Sequence, residues 1–401
     1  VDSGPQLGFG PTSVRGLQRY PRSIVDALRP WREGDPYAFD RLLQFQQRLR
    51  ADGYFSSVSV LPDLAAVEAD PQLDEVPVQV DLRERAAQRV TTGIGYSTDQ
   101  GPRVLLGYQH NNVLGRAWVV DSGALIERVR RRIFVDGRTP YDASGHRWQT
   151  GVRSERFDVS GQLTDKDTVY FGRGGRRDDI EYFLSLQYQT EHSWVDTGTG
   201  IDSRRSRALT LGYAWALRRL DSQIDPRRGY TISAQVSGAH HRLGSDASFV
   251  RLYGRAMRFW PMPQESALAG GVLVGLVEAG MVLSDSREGI PSENLFRAGG
   301  AQSIRGYRYL SLGVPQGEAV VGGRVLALAS LEYQHPIVGN WYGAGFVDAG
   351  NAADRWQDWK AVGSAGVGGR WRSPIGPVNL DAAWAERDRR WRLHFSVGYS
   401  F

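Results

Sequence analysis

Residue types able to do chemistry are present in this chain, but not at the spacings that enzymes use. No Gly-x-Ser-x-Gly elbow, His-Glu-x-x-His pair or phosphate-binding P-loop occurs. Cysteine is absent, which removes disulfides, zinc–thiolate sites and cysteine nucleophiles. The seven histidines are scattered. His240 and His241 alone are adjacent, and neighbours on a strand point to opposite faces, so a shared metal is not expected. No catalytic activity, cofactor or metal is expected. One segment does combine charge with backbone freedom. Residues 284–318 form a long stretch rich in Gly, Ser and Arg, and within it Ile304-Arg305-Gly306-Tyr307 follows Gly299-Gly300. A loop of that length in a compact protein is usually functional or disordered. Gly306 supplies the freedom for a tight turn.

The elements that must position this loop are strands. Gly is 48 of 401 residues, against a usual share of about 7%, and aromatic residues make up 11%. Both favour many β-strands with regular turns. The longest apolar run, Ala267–Val277, is eleven residues, too short for a spanning helix of about 20. A transmembrane barrel escapes that limit, because its apolar residues sit at alternate positions. Basic and acidic residues number 49 and 44 and are interspersed, which gives no nucleic-acid face. The opening Val1-Asp2-Ser3-Gly4 carries no signal peptide, so a mature or truncated chain is expected.

Two regions read differently. In residues 1–84, a strand near Gln6–Gly10 precedes a short helix near Ser23–Leu28 and a longer helix over Tyr37–Arg50. The longer helix carries Phe39, Leu42, Leu43, Phe45 and Leu49 as its expected buried face, and Gly53 as its stop. Strands over Tyr54–Leu61 and Val76–Leu82 complete a small α+β domain, in the order strand, helix, helix, strand, strand. From residue 85 to 401 the helical period vanishes. In the last segment Trp391, Leu393, Phe395, Val397, Tyr399 and Phe401 alternate with polar or small residues. One face of such a strand meets an oily surface and the other a polar lumen. Runs of this kind fall near 89–97, 102–110, 117–127, 129–138, 147–158, 166–174, 180–192, 204–216, 229–240, 247–260, 267–283, 319–335, 340–350, 360–372, 377–386 and 390–401. They predict a mainly β chain: a sixteen-stranded antiparallel transmembrane barrel behind the small domain. A soluble sandwich rarely runs this long, and a propeller would show an internal repeat.

Four motifs in this order resemble the BamA/TamA superfamily of outer-membrane assembly factors. They are Ile304-Arg305-Gly306-Tyr307 in the long loop; Gly345-Phe346-Val347-Asp348-Ala349-Gly350; Ser373-Pro374-Ile375-Gly376-Pro377 with Asp381; and Asp225-Pro226-Arg227-Arg228-Gly229, with Arg227 where the family has Thr. Residues 5–84 resemble a single POTRA domain, the family's periplasmic polypeptide-binding module. The resemblance implies a loop folded into the lumen, with Arg305 meeting Asp348. The physics agrees, since an arginine inside a barrel needs carboxylates, and Glu332 has the inward parity to be a second one.

The resemblance further implies a bacterial outer-membrane location with the N-terminal domain in the periplasm. The short loops resemble TamA-like members, whose partners are a TamB-like periplasm-spanning protein, unfolded outer-membrane or autotransporter clients, and outer-membrane lipid. A lateral gate between the first and last strands is expected, weakened by Gly93, Gly95 and Gly398. Tyr399 and Phe401 look like the C-terminal targeting signal of outer-membrane barrels. Two rival readings are a two-partner-secretion transporter, which exports an exoprotein through its pore, and a passive porin-type channel. A porin has no reason for a POTRA-like segment or for a paired Arg305 and Asp348.

Overall fold

The structure is a computed structural model that describes residues 7–69, 74–177, 179–222, 225–266, 268–373 and 376–397. Its first elements are β1 (Gly8–Arg15), α1 (Ser23–Asp26), α2 (Phe39–Ala51), β2 (Phe55–Pro62), α3 (Leu64–Ala69) and β3 (Glu75–Glu84). β3 is the middle strand of the sheet, parallel to β1 and antiparallel to β2. Its Val76, Val78, Val80 and Leu82 are buried at period two. Against them pack Leu42, Phe45 and Leu49 of α2, and an aromatic stack in which Phe9 and Trp31 lie 4.3 Å apart. Phe39 and Leu43, expected on the buried face, are exposed. At about 100° per residue Leu43 turns away from the arc shared by Leu42, Phe45 and Leu49. α3 is a helix that the apolar pattern does not announce. Its local signal is Asp63, whose Oδ1 accepts the N–H of Ala66 at 3.2 Å, as an N-cap does.

Sixteen strands close into a barrel. They are β4 (Gln88–Ser97), β5 (Gly101–Val113), β6 (Trp118–Glu127), β7 (Arg130–Arg138), β8 (His146–Val159), β9 (Gln162–Arg177), β10 (Ile180–Asp196), β11 (Ile201–Leu220), β12 (Gly229–Ala239), β13 (Phe249–Pro261) and β14 (Val272–Leu283). After the long loop, which holds the short hairpin β15 (Val314–Gln316) and β16 (Ala319–Val321), come β17 (Val325–Val338), β18 (Trp341–Ala353), β19 (Val362–Ser373), β20 (Gly376–Ala385) and β21 (Arg390–Val397). Each strand pairs with its neighbours in chain order, and β21 returns to β4.

The alternation has the expected sense. On β21 Leu393 is 63% exposed while the next residue, His394, is 2% exposed. Ile94, Val104, Leu106, Val277, Val347 and Val367 also face outward. A belt of this kind is what hydrocarbon requires, and closure leaves no unpaired backbone edge within it. Tryptophans mark both rims. Trp341 and Trp371 stack 5.4 Å apart at one, and Trp384 and Trp391 lie 5.7 Å apart at the other. Among the described residues no helix is long and apolar enough to cross a membrane.

The strand expected from residue 319 begins at Val325. Ala319–Val321 instead pairs with Val314–Gln316 inside the loop, so the loop runs from 284 to 324. Apolar alternation through 319–325 does not distinguish a small internal hairpin from the start of a wall strand. The strand expected from 267 likewise begins at Val272, after a turn built on Pro263 and Gly270.

At the end of β3, the Glu84 carboxylate accepts the backbone N–H groups of Gln18, Arg19 and Tyr20 at 2.9, 2.9 and 3.1 Å, and Nε of Arg19 at 2.9 Å. Burial alone would raise its pKa, but these donors outweigh it and hold the carboxyl down to about 2. Its folded-state pKa is thus depressed below the ordinary 4.5. The associated stability is present above that ordinary value and is lost as pH falls from about 4.5 towards 2. Glu84→Gln is expected to weaken the N-terminal domain by about 1–3 kcal/mol at neutral pH. It should also flatten the loss of stability below pH 4.5. Hydrogen exchange of β1 and β3 amides across that range checks both outcomes.

Candidate functional site: the ion-paired loop inside the barrel

The loop is built around Arg305. Alternate residues of a strand share a face, so Ser330 and Glu332 on β17 and Phe346 and Asp348 on β18 project to the same inner surface. Ser330 pairs in register with Asp348, and Glu332 with Phe346. Arg305 enters this corner. Its Nε donates to Asp348 Oδ2 at 2.8 Å and Nη2 to Oδ1 at 2.7 Å, a bidentate fork. Its backbone N–H donates to the same carboxylate at 3.0 Å. Nη1 pairs with Glu332, and Nη2 also reaches Ser330 Oγ at 3.2 Å. The guanidinium lies 3.4 Å from the centre of the Phe346 ring. Arg305 and Asp348 are both buried.

The charges continue along the wall. Glu332 also pairs with Arg370 at 2.9 Å, and Arg370 with Asp381 at 2.6 Å. Five groups thus alternate in sign: Asp348, Arg305, Glu332, Arg370 and Asp381. Each buried charge has an opposite neighbour, the condition under which a low-dielectric interior tolerates it. Arg370, Ser330 and Phe346 were not picked out individually in the sequence. Their signal is inward parity next to Glu332 and Asp348.

The residues around Arg305 set its approach. Gly306 has φ +87°, a conformation that favours glycine, and a Cβ there would lie 3.2 Å from Ala385. Ile304 and Tyr307 are fully buried. The Tyr307 hydroxyl donates to the Gly363 carbonyl at 3.1 Å and accepts from the Arg387 N–H at 3.2 Å. The start of the loop has a second anchor on other strands. Glu293 meets Lys166 of β9 at 2.5 Å and accepts from Gln189 of β10 at 2.9 Å. Ser292 donates through its backbone N–H and hydroxyl to Glu191. This anchor escaped sequence reasoning, because nothing in the spacing of Lys166 and Glu293 shows that they meet.

The Asp225–Gly229 turn is also held by side chains. Arg372 pairs with Asp225 at 2.7 Å and lies over the Tyr342 ring at 3.8 Å, and Arg227 donates to the Tyr342 hydroxyl. His240 and His241 do not lie on a strand: their rings stack 4.6 Å apart at a short 3-10 turn. The opposite-face argument therefore does not apply to them. Their ring nitrogens bond instead to the Arg242 N–H and the Ser248 hydroxyl. Among the described residues no cluster of His, Asp and Glu could hold a metal.

Between β21 and β4 the register contains two pairs among the described residues, Ser396 with Ser97 and Val397 with Tyr96. Two contacts of Thr98 with Phe395 extend it. Neighbouring β20 and β21 share eight pairs. Gly95 faces the seam closely, since a Cβ there would lie 3.1 Å from the Val397 carbonyl oxygen. Gly93 is one alternate position away, near Leu105. Gly398, Tyr399 and Phe401 lie outside the described residues.

A closed barrel with an apolar outer belt, aromatic rims and an ion-paired loop defines an outer-membrane barrel protein. Residues 87–401 match the Omp85 superfamily domain, and residues 9–85 match the POTRA family described as surface antigen variable number repeat. The chain belongs to the Omp85 superfamily, and it is a protein of the bacterial outer membrane with its POTRA domain in the periplasm. It is 24% identical to the outer membrane protein assembly factor BamA of Nitratidesulfovibrio vulgaris, over 97% of this chain and 50% of that protein. It is also 24% identical to BamA of Neorickettsia risticii, over 93% and 52%. The chain thus spans about half the length of the curated relatives it matches. Among solved structures, BamA from Haemophilus ducreyi lacking POTRA domains 1–3 superposes with a TM-score of 0.79 at 19% identity, covering 100% of this chain and 86% of that one. CdiB from Acinetobacter baumannii gives 0.63 at 12% identity, covering 98% and 73%.

Arg305→Ala is expected to leave Asp348 and Glu332 buried without their shared cation, at about 3–5 kcal/mol. Arg305→Lys keeps the charge but not the fork, and should fall between wild type and Ala. Protease cleavage within residues 284–324 and thermal unfolding in detergent read both. Equal resistance in all three proteins would show that the pairing does not hold the loop.

Proposed function

We propose that this protein helps insert and fold other outer-membrane proteins, with the seam between β4 and β21 as the lateral route into the bilayer. The observation that carries the reading is the contrast between a loop fixed to the wall at two places and a seam of two register pairs among the described residues. Opening a closed ladder exposes backbone groups to hydrocarbon, at several kcal/mol for each unsatisfied group. A ladder with few pairs is cheaper to open, and an incoming client strand can replace the lost bonds. Unfolded outer-membrane proteins are the partners this route implies, and the POTRA domain is the part suited to receive them.

The finer reading is a TamA-like subunit that acts with a TamB-like protein on autotransporters. Its support is the compact barrel with short loops, whereas the relatives matched above carry the name BamA. Crosslinking the intact protein in cells, followed by identification of the captured partner, separates the two: a TamB-like protein among the products favours the finer reading, and its absence removes it. Two-partner secretion is the second reading, favoured by the likeness to CdiB. It requires a polypeptide to pass a lumen in which Arg305 and Glu293 pin the loop to different strands. Passive flux through a porin meets the same obstruction.

Replacing Tyr96 and Val397, partners in the register, by cysteines gives a seam that oxidation can lock. The locked protein is expected to lose client assembly, and reduction to restore it. Normal assembly by the locked protein would eliminate the lateral route. Loss of export with client insertion intact would favour secretion.

A further inference from the structure

His394 lies on β21, on the lumen side, and is 2% exposed. Its Nε2 accepts the backbone N–H of Gly306 at 2.9 Å. An imidazole nitrogen that accepts carries no proton, so in the neutral ring the proton sits on Nδ1. That atom is buried, completes no hydrogen bond, and lies 3.4 Å from Asp99 Oδ1. Asp99 belongs to the turn that follows β4, the other side of the seam. Its second oxygen, Oδ2, accepts the N–H of Ala301 in the loop at 2.7 Å. Gly300 makes that approach possible. Its φ is +102°, and a Cβ there would stand 2.7 Å from Asp99 Oδ2. Arg392, also on β21, donates through Nε to the Gly306 carbonyl at 3.0 Å.

The loop tip is thus held from both sides of the seam. The last strand grips Gly306 through His394 and Arg392, and the first hairpin grips Ala301 through Asp99. His394 and Asp99 face each other across the gap, next to the two register pairs of the seam. We propose that His394 and Asp99 are positioning residues that form a latch, through which loop docking and seam closure become one equilibrium. The inference rests on the seam reading and names the residues that would regulate it. When β4 and β21 part, Asp99 moves away from His394, and one of the two grips on the loop is drawn with each strand. When the loop is docked, its tip tethers both strands. The Nδ1–Asp99 contact is long and incomplete, as befits a device that must separate.

The experiment uses the intact protein in outer-membrane vesicles with two readouts. The rate of disulfide formation between Tyr96→Cys and Val397→Cys reports seam closure. Tryptic cleavage after Arg308 reports loop docking. Among the described residues Asp99 makes no hydrogen bond to Gly306 or to a backbone atom of β21, and Asp99→Ala leaves both in place. It is nevertheless expected to slow the seam disulfide several-fold and speed loop cleavage several-fold. His394→Ala should do the same, and the double variant should do no more than either single one. His394→Gln keeps an oxygen that can accept from Gly306 and an N–H to face Asp99, and it should restore both readouts. Asp99→Asn keeps an acceptor for Ala301 but turns a donor NH2 towards the Nδ1–H of His394, and it provides a second variant should the Ala forms fail to fold. It is expected to shift both readouts in the same direction as Asp99→Ala, by less, and wild-type readouts in it would count against the latch.

If Asp99→Ala frees the loop while the seam disulfide forms at the wild-type rate, the latch is overturned and both residues are local props. Additive effects in the double variant overturn it as well. These results differ from failure of the lateral route itself. That failure would show as normal client assembly by the oxidised cysteine pair, with the coupling of loop and seam still measurable.

Discussion

A bilayer offers no partner for a free N–H or C=O, and this single constraint orders the whole barrel. Sixteen strands close on one another because an open edge in hydrocarbon would leave a row of unpaired groups. The same rule makes any departure from a full ladder meaningful. Between β20 and β21 eight residue pairs are joined, and between β21 and β4 two are joined among the described residues. At that seam side chains add to the described pairs. They are Thr98 on Phe395, and Asp99, Arg392 and His394 on the loop residues.

The lumen obeys the converse constraint. Its inner face is polar by parity, yet several charges there, Arg305, Asp348 and Asp381 among them, are buried. Arg305 is stable there because it makes a fork with Asp348, a contact with Glu332 and a stacked contact with Phe346. Removing any one carboxylate would leave the rest of the alternating chain unbalanced. A hydrophobic loop of the same volume could fill the space with less desolvation penalty. The charged arrangement gives one register, since the fork fits only where Asp348 and Ser330 stand side by side. It also fixes where Gly306 arrives beside β20 and β21, and so sets the loop tip at the seam.

The two anchors divide the loop's work. Glu293 and Ser292 fix its beginning to β9 and β10, while Arg305 fixes its middle to β17 and β18. After Arg305 the small hairpin of β15 and β16 follows, with Gly161 and Gly317 allowing close approach to neighbouring turns. The loop is thus tied to wall strands at two separate places.

Much of this was present in the residue order. Period-two alternation gave sixteen strands, with ends that differ from the final ones by a few residues, because the face of a strand is a local property. The Arg305 motif and the inward parity of Asp348 and Glu332 were equally local, and their meeting followed from charge. Three things were not available in the sequence. Residues 319–321 join a hairpin rather than the wall, because either choice satisfies the same alternation. Lys166 meets Glu293 across 127 residues, and no spacing rule connects them. His394 read as one polar residue among the inward positions of β21, and only closure of the barrel brings it opposite Asp99. Local periodicity determines which way a side chain points, whereas the partner it finds depends on how the strands and loop close in three dimensions.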